Sequence, residues 1–269
     1  MTNRQSLQND DDQTWNKIPQ LTFLFWIMKI TATTFGETGG DFLAQTLNIG
    51  YATSTLIFFA FFIVMVTFQI RAKHYIPPVY WAVIVATSTA GTTMSDYMDR
   101  TLGLGYAVGS IILVSLLIVI LIIWRLTEKS LSVTNIRSRR GEAFYWSAIL
   151  VSNTLGTALG DFLADDSGLG FGGSALLISG VLVIVILAYY FSKISRIILF
   201  WIAFVLTRPF GATLGDLLTK SRDKGGLDYG TKGSSLILLG LLIILIVYEM
   251  IRLKQQKQSE KREVVMQRN

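Results

Sequence analysis

Four aspartates recur at one spacing in a chain of 269 residues. Asp41, Asp96, Asp161 and Asp216 each follow a Trp (Trp26, Trp81, Trp146, Trp201) by fifteen residues, with a Gly (Gly36, Gly91, Gly156, Gly211) ten residues after the same Trp. Their surroundings are apolar, and a carboxylate there is costly unless it is paired, hydrogen-bonded or bound to a cation. Carboxylate, hydroxyl and amide oxygens together suit hard cations such as Mg, Ca or Mn, or a shared proton. Glu37 lies one helical turn before Asp41, and the other copies carry Thr92, Thr157 and Ala212 in its place. Spaced i and i+4, Glu37 and Asp41 share a helix face and form the candidate metal pair. Lys29 and Arg208 occur in one copy each and are cations available to these acids; Lys29 is equally placed to extend toward the cytoplasm. The candidate ion pathway is therefore Glu37, Asp41, Asp96, Asp161, Asp216, Asn153, Lys29 and Arg208.

Other chemistry is excluded by composition. The chain has no cysteine, which removes disulfides, thiolate metal sites and Cys nucleophiles. Its one histidine, His74, follows Arg71 and Lys73 at an expected helix end, where a solvated loop residue is the default. No nucleotide-binding loop occurs, and no nucleophile, base and orienting group stand together, so an enzyme is not expected. No cofactor is expected either, apart from a transported divalent cation. The formal net charge of +6 does not call for nucleic acid, because the basic residues flank apolar runs as they do in oriented membrane proteins.

The elements that must position these residues are membrane spans. The chain is 51% hydrophobic and 16% charged with a mean hydropathy of +0.50, too apolar for a soluble domain of its size. Runs such as Leu56–Phe68, Ile111–Trp124, Leu176–Phe191 and Leu236–Tyr248 approach the roughly 20 residues that a spanning helix needs. Each follows a Trp-to-Asp segment and a short Gly-containing connector, so the spacing predicts an all-α membrane protein with eight transmembrane helices as four parallel two-helix repeats. The chain divides into an N-terminal tail (1–20), a first half of two hairpins (21–126), a basic linker (127–142), a second half (143–252) and a basic tail (253–269). The first twenty residues are polar and lack the order of a cleavable signal. Lys and Arg collect between hairpins and in the C-terminal tail, which places both termini in the cytoplasm.

Within each first helix two stripes are expected. Positions six, ten and fourteen after the Trp are all small: Ala32, Gly36, Gly40; Thr87, Gly91, Ser95; Ser152, Gly156, Gly160; Thr207, Gly211, Gly215. This is a seam for close contact between membrane helices. Positions seven, eleven and fifteen carry Thr33, Glu37, Asp41; Ser88, Thr92, Asp96; Asn153, Thr157, Asp161; and Arg208, Ala212, Asp216, a stripe that belongs in the bundle interior. The Trp is expected in the cytoplasmic interfacial belt. Fifteen residues at about 1.5 Å each put the Asp roughly 22 Å further along. Two readings follow: the Asp caps or terminates its helix near the outer headgroups, or the four carboxylates converge on a common axis as an oxygen-rich cation or proton site. Asp99, Asp165, Asp166 and Asp228 lie at or beyond the outer ends, as solvated carboxylates able to form an acidic mouth.

The recurrence of Trp and Gly-x-x-x-[Gly/Ser]-Asp, followed each time by a second span, resembles a bacterial membrane-protein family of tandem two-helix repeats of unknown function. The resemblance runs from about Leu21 to Arg252 and implies the topology. Glu37-Thr-Gly-Gly-Asp41 is also similar in chemistry to the Glu-x-Gly-Asp-Lys/Arg-Ser/Thr motif of a manganese and calcium exchanger family, with one extra residue and without the basic and hydroxyl positions. Together these features lead to the expectation of a multi-pass secondary transporter in the bacterial cytoplasmic (inner) membrane, exporting or exchanging a cation, in first place a divalent metal such as Mn. Its partners would be the lipid bilayer and the cation, with the oligomeric state open. The alternatives are a membrane scaffold or sensor, and an organic-solute transporter.

Overall fold

Small residues on one face of each Trp-to-Asp helix set the architecture. The computed structural model describes residues 17–133, 136 and 138–268; residues 1–16 of the polar N-terminal segment and Thr134, Asn135 and Arg137 of the linker lie outside them. The described residues form eight long α-helices and no strand: α1 (Phe23–Asp41), α2 (Tyr51–Arg71), α3 (Pro77–Asp96), α4 (Tyr106–Glu128), α5 (Arg139–Asp161), α6 (Gly170–Phe191), α7 (Arg196–Thr219) and α8 (Thr231–Arg268). Local signals agree with these bounds. Pro77 opens α3, where its missing N–H costs nothing, and the Ser138 hydroxyl caps α5 by accepting the Gly141 N–H at 2.8 Å.

The odd-numbered helices form a closed ring in the order α1, α3, α5, α7 and back to α1. The seam makes this possible. A Cβ added to Gly36 would lie 2.3 Å from Ser88 Cβ, one on Gly211 2.8 Å from Thr33 Cβ, and one on Gly156 2.2 Å from Arg208 Cγ. One turn on, Gly40 meets Thr92 and Gly215 meets Glu37. Contacts that advance together along both partners identify the four helices as parallel, each setting its Gly ridge against the polar stripe of the next.

The expected hairpins open up. In the first three repeats the second helix scarcely touches its own first helix beyond the turn joining them, and packs instead on the first helix of the following repeat: α2 on α3, α4 on α5, α6 on α7. Helix α8 returns to α1 and closes the cycle. The physical reason lies in the connector. Helices α1, α3 and α5 run on past the Asp into a π-helical turn (Phe42–Thr46, Tyr97–Thr101, Phe162–Asp166), after which glycines at positive φ, such as Gly50 at 84° and Gly105 at 74°, restart the chain to one side.

Five helices, α2, α4, α6, α7 and residues Thr231–Glu260 of α8, are long and apolar enough to cross a membrane. Their outward faces, for example Leu56, Ile111, Leu176 and Ile237, form the exposed apolar belt of a membrane protein. Helices α1, α3 and α5 fall short on apolarity because one face of each carries the polar stripe, which the ring buries.

Close contact at the seam gives a first expected outcome. Gly36→Ala should destabilise the protein by about 1–3 kcal/mol through overpacking, although alanine is the better helix former by about 1 kcal/mol. Gly180→Ala in α6, where a Cβ meets nothing within 4 Å, should be neutral or stabilising. Thermal unfolding of the detergent-solubilised protein compares them, and equal behaviour of the two variants would contradict the ring.

Candidate functional site

The polar stripes meet on the axis of the ring, one layer per helical turn, about 6 Å apart. The layer three residues after the Trp is Lys29, Ile84, Ile149 and Phe204, all fully buried. Lys29 Nζ lies 4.1 Å from the centroid of the Phe204 ring and donates to Asn153 Oδ1 at 3.4 Å; no carboxylate pairs with it among the described residues. Contrary to the alternative of snorkelling to the surface, it points inward.

The next two layers interlock through Arg208. Its guanidinium donates to Glu37 Oε2 at 3.2 Å, to the Thr157 hydroxyl at 2.8 Å, to the Thr92 hydroxyl, and to the main-chain carbonyls of Thr33 (3.4 Å) and Ser88 (3.3 Å). Thr92 and Thr157 in turn donate to Glu37 Oε2 at 3.2 and 3.3 Å, so two hydroxyls relay between the charges. Asn153 is held by donating to Thr87 and Ser88. All four repeats thus contribute to one buried ion pair, with Arg208 at 0% and Glu37 at 3% exposure.

The fourth layer is the ring of Asp41, Asp96, Asp161 and Asp216, each no more than 3% exposed. The four carboxylates converge on the axis; in the first three repeats the Asp is also the last α-helical residue before the π turn, and there it makes no side-chain capping hydrogen bond. Two cations close the ring. Arg100 bridges Asp96 (Nε to Oδ1, 3.0 Å) and Asp161 (Nη2 to Oδ2, 3.0 Å). Lys220 bridges Asp41 (2.8 Å) and Asp216 (3.1 Å), while Gln45 donates to Asp41 at 2.6 Å. Carboxylate oxygens of Glu37, Asp41 and Asp216 lie within 4.8 Å of one another, a geometry compatible with a metal ion. Burial opposes the charge on Lys220, but Asp216 and Asp41 outweigh it and raise its pKa above the ordinary lysine value.

All eight candidate pathway residues therefore reach the axis, with Glu37 and Asp41 on adjoining layers. Arg100 and Lys220 escaped the sequence reading. The signal was present, since both stand four residues after a repeated Asp, as does Gln45. Asp165, Asp166 and Asp228 are exposed as expected, as is His74. Asp99 departs from that pattern: it is buried against Gly109 of α4 and accepts a hydrogen bond from Ser95 at 3.2 Å, so it takes no part in an acidic mouth. Three of the four Trp residues expected in the interfacial belt turn inward, while Trp26 is half-buried. Trp81, Trp146 and Trp201 are buried in an aromatic floor with Tyr80, Tyr145 and Trp124, and Trp81 donates to Glu249 of α8 at 2.9 Å.

A family model described as Repeat of Unknown Function (DUF347) matches residues 24–75, 79–130, 144–195 and 199–254. Each match takes in one Trp-to-Asp helix and the helix after it. No curated protein and no solved structure matches the chain.

The buried pair can be tested by a double-mutant cycle. Arg208→Met and Glu37→Met should each destabilise the protein by about 3–5 kcal/mol, because each strands a buried charge, while the double variant should lose far less than their sum. Unfolding in detergent measures all four proteins; simple additivity would mean that the two side chains do not act as a pair.

Proposed function

The chain belongs to the family described as Repeat of Unknown Function (DUF347), and we propose that its four repeats build a multi-pass transporter that exports or exchanges a cation through the carboxylate axis. The observation that carries this reading is the convergence of five carboxylates, Glu37 and the four aspartates, in one buried column of a membrane protein. Ionisable groups are rare at such depth and are retained where ions or protons pass. The ligand set is oxygen only, which favours a hard divalent ion such as Mn over zinc or copper. Energy would come from an ion gradient.

On this reading all eight helices cross the bacterial inner membrane. Helices α1, α3 and α5 do so despite their polarity because their neighbours shield the axis from lipid. Both termini face the cytoplasm, in accord with Arg71, Lys73, Arg125, Lys129 and the basic end of α8. The aspartate ring then lies toward the outer side and the aromatic floor toward the cytoplasm.

A second reading, a membrane scaffold held by internal ion pairs, is favoured by one observation. Every carboxylate of the column already has a basic partner, Arg208, Arg100 or Lys220. The two readings separate experimentally. In a strain lacking the gene, wild-type protein should restore resistance to Mn and lower cell Mn, whereas Asp161→Asn and Glu37→Gln proteins, expressed to the same level, should restore about a tenth of that flux or less. Wild-type flux from both variants would leave the scaffold.

A further inference from the structure

We propose that Lys220 is a tethered cation that occupies the site the transported ion must enter, so that binding the ion means displacing this ammonium from Asp41 and Asp216. The inference rests on the cation-transport reading and specifies how its site is controlled.

Lys220 Nζ sits between oxygens of two helices, 2.8 Å from Asp41 Oδ2 and 3.1 Å from Asp216 Oδ1. Asp216 Oδ1 is fully buried and makes no hydrogen bond, so the ammonium's charge is what it faces. The same two aspartates join Glu37 in the group whose oxygens approach within 4.8 Å. Two carboxylates share this one ammonium, which leaves one negative charge unmatched beside Glu37, itself paired with Arg208. A divalent ion with oxygen ligands at about 2.0–2.6 Å answers that charge better than an ammonium at hydrogen-bond distance.

Lys220 also differs from the other cation of the group in being able to leave. The Arg208 side chain is wholly enclosed at 0% exposure, whereas that of Lys220 is 19% exposed. It stands just beyond the end of α7, in the one repeat where an extended loop replaces the π turn. That loop folds back on the helix end, with the Leu227, Asp228 and Tyr229 N–H groups donating to the carbonyls of Leu217, Lys220 and Leu218. The backbone of Lys220 is thereby fixed while its four-carbon stem keeps its freedom, so the ammonium can swing to solvent without unfolding the helix. Arg100 plays the matching part between Asp96 and Asp161, but neither of its aspartates belongs to the group of carboxylates whose oxygens come together with Glu37.

The test uses the purified full-length protein and Mn2+ alone, with binding measured by calorimetry. Lys220→Met should bind Mn2+ at least about tenfold more tightly than wild type, and adding Asp41→Asn to it should abolish the gain. Because the chain has no cysteine, Lys220→Cys allows the same preparation to be read twice. It should bind tightly as made, and fall back to wild-type affinity after aminoethylation with a methanethiosulfonate reagent restores an ammonium, whereas the neutral methyl reagent should leave it tight. If wild type binds Mn2+ and neither Lys220→Met nor aminoethylation changes the affinity, the tethered-cation role is overturned while the cation site stands. If neither wild type nor Lys220→Met binds, the transport reading falls and the role of Lys220 with it.

Discussion

The cost of enclosing Arg208 and Glu37 governs this structure. Moving two charges out of water is offset only when their geometry is good and their remaining hydrogen-bonding positions are filled. Arg208 meets most of that demand with ligands from the other three repeats, the Thr33 carbonyl and Glu37 from the first, the Ser88 carbonyl and Thr92 from the second, and Thr157 from the third, while its Nε is left without a hydrogen bond. Main-chain carbonyls of neighbouring helices come that close only because glycines line the opposing seams. The Gly36 and Gly211 contacts hold Ser88 and Thr33, the residues whose carbonyls Arg208 uses, hard against adjacent helices. The glycine pattern and the buried charge are therefore two parts of one arrangement.

Four-fold sequence repetition supplies the scaffold, and the departures from it supply the chemistry. The aspartate layer keeps the full repetition. Its closure by Arg100 and Lys220, from the second and fourth repeats, keeps only a two-fold part of it, with Gln45 and Asp165 in the corresponding places of the first and third. Nearer the Trp end the layers keep none: Lys29, Arg208 and Glu37 each stand once. A ring of identical carboxylates has no preferred pair, and the two-fold placement of cations divides it into Asp96 with Asp161 and Asp41 with Asp216. Glu37 then makes the second pair unlike the first.

Most of this was legible in the chain. Trp, Gly and Asp at fixed offsets gave the repeat, and two helical stripes gave both the seam and the axis, since periodicity is a local property of each helix. What was not legible depended on where consecutive helices go after they leave the repeat. The opening of the hairpins turns on a single π-helical turn and a glycine at positive φ, and neither leaves a periodic mark. The inward turn of Trp81, Trp146 and Trp201 follows from that opening, because α4 and α8 bring Trp124 and Glu249 against the ring. Asp99 likewise looked like a loop acid until α4 placed Gly109 beside it. Arg100 and Lys220 stand in sequence where a helix gives way to a connector, and their i, i+4 relation to a repeated Asp is the mark that ties them to the axis.

The two ends of the column are closed by different physics. At the Trp end, indole and phenol rings exclude water by packing, as in the edge-on contact of Tyr145 with Trp146 at 4.9 Å. At the Asp end the closure is ionic, made by side chains with access to solvent, 32% for Arg100 and 19% for Lys220. On the transport reading, parallel repeats mean that an inward-open state does not arise from an outward-open one by exchanging the conformations of two inverted halves. Opening must instead be driven separately at each end. An ion arriving at the carboxylates acts directly on the ionic closure, because it competes for the same oxygens. It reaches the aromatic closure only through the Glu37, Arg208 and Lys29 layers that lie between. On the transport reading, the asymmetric residues are therefore the coupling element, and the symmetric ring is the site they report on.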